Sequence, residues 1–507
     1  MAKRKIRTLL VANRGEIALR IIRSARMMGL RTVAIYSEPD APSPHVAAAD
    51  DARMVGPAEA AKSYLNIEAV IAAARDAGAD AIHPGYGFLS ERPEFARAAA
   101  EAGLIFVGPH ADVMAQLGDK VAARKIAAAA GVPLVPGTET AELGAAREFA
   151  ARAGYPVLVK AAAGGGGRGM RVVESPAHLE GALEAAAREA TAAFGDGRVF
   201  LEKYLAHPRH VEVQFLGDQH GKIVALGERD CSLQRRHQKI IEESPAPGLA
   251  ETVRAAMIEA ALRLARAADY TNAGTAEFLV DGDHFYFLEV NARLQVEHPI
   301  TEIRFGCDLV AEQLRVAAGE HLDDPATPRG CALECRVYAE DAEHGFRPAT
   351  GTIARLVVPA GPGVRFDTFL TAGSAIGAHY DGLLGKLICF GAAREQVRRR
   401  MIAALDELQI LGVTNTAAFL RDVVASEQFR RAELSTRFID EHFAGWRVGG
   451  GDDGELDAAL IAAAVAMRGE MGASAAGEPP RSEDGMSGPR GRSPWAELAG
   501  FELWRPR

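Results

Sequence analysis

The stretch VLVKAAAGGGGRGMRVVE, Val157–Glu174, decides how this chain is read. Gly164, Gly166 and Gly169 satisfy G-x-G-x-x-G, the spacing of a dinucleotide-binding turn. Such a turn must open directly into a helix. Here both "VLVK" and "MRVVE" alternate as strands do, and the next helix begins only near Ala177. The expected unit is therefore a strand–glycines–strand hairpin. Lacking Cβ atoms, its loop can lay backbone N–H groups across phosphates and can open and close as a lid. Lys160 before the loop and Arg168 inside it supply charge for the same purpose. A flexible surface hairpin is the plainer alternative.

The flanking sequence sets the frame. The chain has 507 residues, enough for about three domains. A net charge of −9 argues against a general nucleic-acid footprint. Five cysteines form no C-x-x-C pair and no complete zinc set, which suits reduced thiols in a cytoplasmic protein. No apolar run approaches membrane-spanning length, and the basic start carries no cleavage site, so neither membrane nor nucleic acid is expected as a partner.

Over residues 1–115, strands such as "IRTLLVA" and "RTVAIYS" alternate with helices, the first being "GEIALRIIRSARMM" with Ile17, Ile21, Ile22, Ala25 and Met28 on one face. This alternation predicts an α/β fold with a doubly wound parallel sheet. Its first turn, "VANRGEIA", lacks the dinucleotide glycines. Residues 116–330 form a strand-rich middle. Residues 331–445 mix strands and helices. One Ala-rich helix follows Gly445, and the tail to Arg507 has a disordered composition.

A second constellation is "AEFLVDGDHFYFLEVNARLQVEHP". A hairpin with a three-residue loop, Gly282 to His284, sets Glu277 opposite Glu289. Alternation puts Glu289, Asn291 and Arg293 on one side. Two carboxylates and an amide oxygen on one face are costly in a core unless a cation neutralises them. Hard oxygen ligands suit Mg²⁺, which also takes substrate phosphates. A solvated sheet face is the alternative, but Arg293, Gln295, Glu297 and His298 follow without a spacer. A third cluster, "ERDCSLQRRHQKIIEE", reads by default as a solvated charge run.

Together these motifs resemble the biotin carboxylases of the ATP-grasp superfamily. The resemblance runs from Ile6 to His442 and rests on "VANRGEIA", "HPGYGFLSE", "GDK", "GGGGRGM", "LEKYL", "RDCSLQRRHQK", "FLEVNARLQVEHPITE", "ECRVYAED" and "GVTNTAAFL". It implies a three-domain architecture: an N-terminal domain, an ATP-grasp domain with a glycine-rich lid over about 133–204, and an α+β C-terminal domain. It further implies carboxylation of carrier-bound biotin by bicarbonate and ATP through carboxyphosphate, as the first half-reaction of an acyl-CoA or pyruvate carboxylase. By that likeness Lys120, Lys160, Gly166, Gly167 and His210 hold phosphates or ribose. Glu202, Lys203 and Leu205 lie along adenine, and His237 lines the nucleotide. Glu277, Glu289 and Asn291 hold Mg²⁺ (or Mn²⁺). Lys239, Arg293, Gln295, the Val296 backbone and Glu297 hold bicarbonate, with Glu297 as general base and Arg336 stabilising the biotin oxyanion. The implied partners are a biotin carboxyl carrier protein and a carboxyltransferase subunit, with a homodimer as the assembly.

The sequence departs from the family pattern at Ala162 and Ala163, where many relatives have Ser-Gly, and at Gly382, where a larger residue is usual. "SPWAELAGFELW" resembles the connector to a carrier domain, yet no "AMKM"-type biotinyl-lysine motif follows. A separate carrier, or a truncated product, is expected. Another ATP-grasp ligase would share Lys120, Lys160 and the metal carboxylates. It would not need Lys239, Arg293, Glu297 and Arg336 together. A non-catalytic scaffold predicts a damaged site, which the sequence does not show.

Overall fold

The loops after the first and fourth strands emerge side by side because strand order reverses between them. In the computed structural model, β1 (Thr8–Val11), β2 (Arg31–Ser37), β3 (Asp51–Gly56), β4 (Ala81–His83) and β5 (Ile105–Phe106) lie in the order β3-β2-β1-β4-β5, parallel throughout. In doubly wound sheets such a reversal opens a crevice at the strand carboxyl ends. Asn13, after β1, ties the two loops: its Nδ2 donates to the carbonyls of Pro84 and Tyr86, each at 2.8 Å. Gly85 sits between them at φ +65°, and a Cβ there would lie 2.9 Å from Asn13 Nδ2, so only glycine fits. The first helix, Gly15–Met27, buries Ile17, Ile21, Ile22 and Ala25 as the periodicity predicts. Met28 does not join them. The helix has ended, and the side chain is 37% exposed.

The structure describes residues 4–138, 142–162, 170–236 and 238–449. Those up to Val448 form one compact unit. The Ala-rich helix and tail expected after Gly445 lie outside the described residues from 450 onward, as do Ala163, Gly166, Gly167, Arg168 and His237. Among the described residues, no helix is long and apolar enough to cross a membrane.

The glycine stretch is flanked as expected. β6 (Val157–Ala161) pairs antiparallel with β7 (Met170–Val173), with Lys160 opposite Met170, and on its other edge with β8 (Val199–Lys203). The next α-helix starts at Leu179. Phe149, Val157, Val159, Leu183 and Leu201 form a small core private to this three-stranded sheet and its helices.

The remaining long strands form one sheet. β9 (Arg209–Gly217), β10 (Ile223–Arg235), β11 (Gln238–Ser244), β12 (Asn272–Asp281), β13 (His284–Asn291) and β14 (Cys331–Tyr338) join Leu383–Gly391 and Val364–Thr368 in the order β13-β12-β9-β10-β11-β14, then those two. All neighbours are antiparallel. The β11–β14 ladder therefore carries the sheet without a break from the middle region into the third.

Two expectations need correction. Glu277 does face Glu289, but by a different route. The hairpin loop is two residues, Gly282 and Asp283, and a bulge at Leu288 restores the pairing. The charge run is solvated only at its turn, where Arg236 is exposed; Arg229, Asp230, Glu242 and Glu243 are buried. They lie on β10 and β11, interior strands of the sheet, where burial is set by partners the local sequence does not show.

Candidate active site

The register stacks three carboxylates across three adjacent strands. Glu277 on β12 faces Glu212 on β9 on one side and Glu289 on β13 on the other. Like charges directly opposite destabilise a sheet, so this ladder stands only with cations beside it. Lys239 Nζ, reaching from β11, lies 2.6 Å from Glu212, 2.8 Å from Glu277 and 2.8 Å from Glu297. Arg229 holds the other Glu212 oxygen at 2.6 Å. His210 Nε2 is 3.1 Å from Glu277 Oε2, and Lys120 Nζ is 3.6 Å from Glu289. Glu212 was not among the residues expected from sequence, and Arg229 was read only as part of the charge run. The alternation of His210, Glu212 and Gln214 with Val211, Val213 and Phe215 was the available signal.

The turn after β13 delivers the rest. Arg293 donates to Glu91 at 2.8 Å, to Asn291 Oδ1 at 2.9 Å and to Gln295 Oε1 at 2.9 Å. Glu91 also accepts from the Ala292 N–H at 3.0 Å, which gives the end of "HPGYGFLSE" a structural task. Gln295 Nε2 donates to Glu277 at 3.2 Å. The Val296 carbonyl accepts from the buried Lys386 ammonium at 3.0 Å. Lys386 also pairs with Glu16 at 3.1 Å, and the Tyr86 hydroxyl bonds the same Glu16 carboxylate. Glu297 is fully buried, with Lys239 on one oxygen and Arg336 Nη2 on the other at 2.9 Å.

These contacts fix protonation. Burial alone would raise the Glu297 carboxyl, but Lys239, Arg336 and Arg229 outweigh it and hold it well below the usual carboxylate range. Glu277 is likewise buried, and Lys239 and His210 hold it well below that range. Burial works against the charge on Lys239, yet its three carboxylates push it well above the ordinary lysine value. Cys231 Sγ is 3.9 Å from Glu297; burial and the nearby Glu212 push its thiol well up, so it is no nucleophile.

Lys160 belongs to a second group on the three-stranded sheet. Its Nζ is 2.9 Å from Glu202, whose other oxygen meets Arg124. Lys203 is exposed and Leu205 half-buried. Of the residues singled out from sequence, Lys120, His210, Lys239, Glu277, Glu289, Asn291, Arg293, Gln295, Glu297 and Arg336 share one chain of contacts. Gly166, Gly167 and His237 lie outside the described residues.

Glu277, Glu289 and Asn291 are hard-oxygen donors of the kind a divalent cation takes, and here the Glu277 and Asn291 oxygens are met by Lys239, His210 and Arg293 instead. Glu289 has a 36% exposed side chain, faces the buried Glu277, and has Lys120 as a salt-bridge partner. Asn291 presents Nδ2 to Glu277 at 2.8 Å and its oxygen to Arg293.

The described residues thus hold a three-stranded sheet with its own core and a carboxylate ladder met by Lys239 and Lys120, a charge arrangement suited to phosphates and a divalent cation. Three family profiles match the chain: "Biotin carboxylase, N-terminal domain" over 5–114, "Carbamoyl-phosphate synthase L chain, ATP binding domain" over 119–325, and "Biotin carboxylase C-terminal domain" over 334–441. The biotin carboxylase of Nostoc is 47% identical over 445 residues, covering 86% of this chain and 99% of that one. The crystal structure of a biotin carboxylase–β,γ-ATP complex from Campylobacter jejuni superposes with a TM-score of 0.84 at 43% identity, covering 86% of this chain and 99% of that one. The biotin carboxylase domain dimer of Hydrogenobacter thermophilus 2-oxoglutarate carboxylase, bound to MgADP, ADP and bicarbonate, gives 0.83 at 42%, covering 88% and 99%. The chain belongs to the biotin carboxylase family.

Proposed function

We propose a division of labour among these residues for the reaction of the family, the ATP-dependent carboxylation of biotin by bicarbonate. The observation that carries it is the Glu297 carboxylate, buried between Lys239 and Arg336. Bicarbonate is a poor electrophile, and phosphorylation by ATP makes it carboxyphosphate. Phosphoryl transfer asks for positioning and charge neutralisation more than for covalent help. Lys120, Lys160 and the glycine loop with Gly166 and Gly167 hold phosphates. For Lys160 this means exchanging Glu202 for the nucleotide, since the two are paired here. Glu202, Lys203, Leu205, His210 and His237 line the nucleotide. Glu277, Glu289 and Asn291 would hold Mg²⁺, which would supply positive charge to offset that of the phosphates.

Bicarbonate lies against Lys239, Arg293, Gln295 and the Val296 backbone. Glu297 is the base that takes its proton. While paired, Glu297 is a weak base. An anion that draws Lys239 toward itself loosens that hold and raises the proton affinity of Glu297. Arg336 then faces the biotin oxygen that gains negative charge.

The division into 1–115, 116–330 and 331–445, the homodimer, a cytoplasmic location and the partner carboxyl carrier and carboxyltransferase belong to the same proposal. The matched profile segments and the family support them. The test is ADP release with Mg²⁺-ATP, with and without bicarbonate and free biotin. The reading expects release that requires bicarbonate and rises with biotin. Release indifferent to both overturns it.

A further inference from the structure

Behind Arg336 stands a pair of carboxylates that the mechanism above does not use. Glu242 on β11 and Glu334 on β14 are directly opposite in the ladder, and both are fully buried. None of their four oxygens accepts a well-aligned hydrogen bond. Arg336 Nη2 is in ion-pair contact with Glu242 at 2.5 Å and with Glu297 at 2.9 Å, so one nitrogen touches an anion on each side. Unlike Glu212 and Glu277, which share Lys239, this pair has a cation in contact with Glu242 alone, and two opposed carboxylates so placed in a dry interior do not both ionise.

We propose that Glu242 and Glu334 share one proton, held on Glu334, and that this pair is the positioning device for Arg336. The Glu334 O–H donates to the Glu242 carboxylate, and Glu242, the one that Arg336 touches, is the first of the pair to ionise and serves as the counter-ion of the guanidinium. The inference rests on the reading of Glu297 as base. When Glu297 takes the bicarbonate proton it loses its charge, and Arg336 loses one of its two anionic partners. Glu242 is the partner that stays, and it keeps the guanidinium aimed while biotin is carboxylated. The proton on Glu334 prevents a second negative charge from cancelling Arg336.

The surroundings agree. Burial pushes both carboxyls up, Glu242 to about 7 and Glu334 well above its ordinary value, with Glu297 adding to each and Arg336 opposing. The charged groups around the pair are Arg336 on β14, Lys239 on β11, Glu297 on the loop, Lys386 on Leu383–Gly391 and Arg365 on Val364–Thr368. Cys231, Cys335 and Tyr338 also lie within electrostatic reach. Each of these three has its own proton affinity raised chiefly by burial, so each stays neutral.

Two isosteric substitutions give opposite results. Glu242→Gln removes the retained anion, so biotin-dependent kcat falls by about tenfold or more with little change in the KM for ATP. Glu334→Gln keeps a donor toward Glu242 and stays within about threefold of the parent at neutral pH. The parent loses turnover as pH rises through the point where Glu334 releases its proton, because the pair then carries two charges. Glu334→Gln has no such proton, and that alkaline limb disappears. A purely structural role would impair both variants alike and leave the limb in place. The infrared spectrum reads the proton without catalysis. At neutral pH the parent carries a protonated-carboxyl carbonyl band that Glu334→Gln removes. This measurement stands even where Glu242→Gln fails to fold, and it is independent of whether the parent carboxylates biotin. Identical spectra in that region, or an alkaline limb unchanged in Glu334→Gln, overturns the proposal.

Discussion

Replacing Glu297 by Gln tests the base most sharply, because the change removes a charge and almost no volume. The parent carboxylate meets Lys239 at 2.8 Å and Arg336 at 2.9 Å. An amide can offer its oxygen to only one of them; its N–H₂ must face the other donor, so one charge-assisted contact is lost. Lys239 keeps Glu212 and Glu277, and Arg336 keeps Glu242, so both cations stay paired. The fold and the ATP site are thereby spared. A positioned general base contributes about 10²–10⁴-fold, which is about 3–5 kcal/mol of barrier. The assay is steady-state ADP release with bicarbonate and biotin saturating. The expected result is a kcat lower by about 10²–10⁴ with a KM for ATP within about threefold. Turnover within about threefold of the parent would remove Glu297 from the proton transfer.

Three further outcomes follow from the same contacts. Glu289→Gln takes one carboxylate from the ladder and should raise the Mg²⁺ concentration needed for half-maximal turnover by about tenfold or more; normal metal dependence would sink the hairpin assignment. Lys239→Met strips a cation from three carboxylates, and removing one partner of a buried ion pair costs about 3–5 kcal/mol. Denaturant melting that matches the parent would contradict the idea that this lysine holds the ladder together. The third concerns acid. Because the folded-state pKa of Glu297 is depressed, its contribution is fully present above the unfolded value of about 4.3 and drains away as pH falls below it. Glu297→Gln should therefore lose less stability than the parent between about pH 4.3 and lower pH, by comparison of acid melts; parallel curves would argue against the depressed pKa.

Much of this was open to reading in the chain itself. Helix spacing in Gly15–Met27 and the strand–helix alternation around it point to the parallel sheet. The strand–glycines–strand pattern separates the lid from a dinucleotide turn. The hairpin face shows why Glu277 and Glu289 matter. What was hidden is non-local. A two-residue loop plus a bulge at Leu288 gives the same Glu277–Glu289 pairing as a three-residue loop, so the pairing alone cannot tell them apart. The charge run reads as solvated because its burial comes from β9 and β14, distant in sequence. Glu91 reaches Arg293 across 202 positions, and no local pattern marks it as the residue that orients that guanidinium. The unbroken sheet through β11 and β14 is hidden for the same reason, and with it the carboxylate pair behind Arg336.

The most direct measurement follows the carbon. The purified chain is incubated with Mg²⁺-ATP, labelled bicarbonate and biotin, and label recovered in carboxybiotin is compared with ADP formed. The account predicts label in biotin that requires ATP and accumulates in step with ADP. ADP formed in the presence of biotin and bicarbonate with no label in biotin would contradict it.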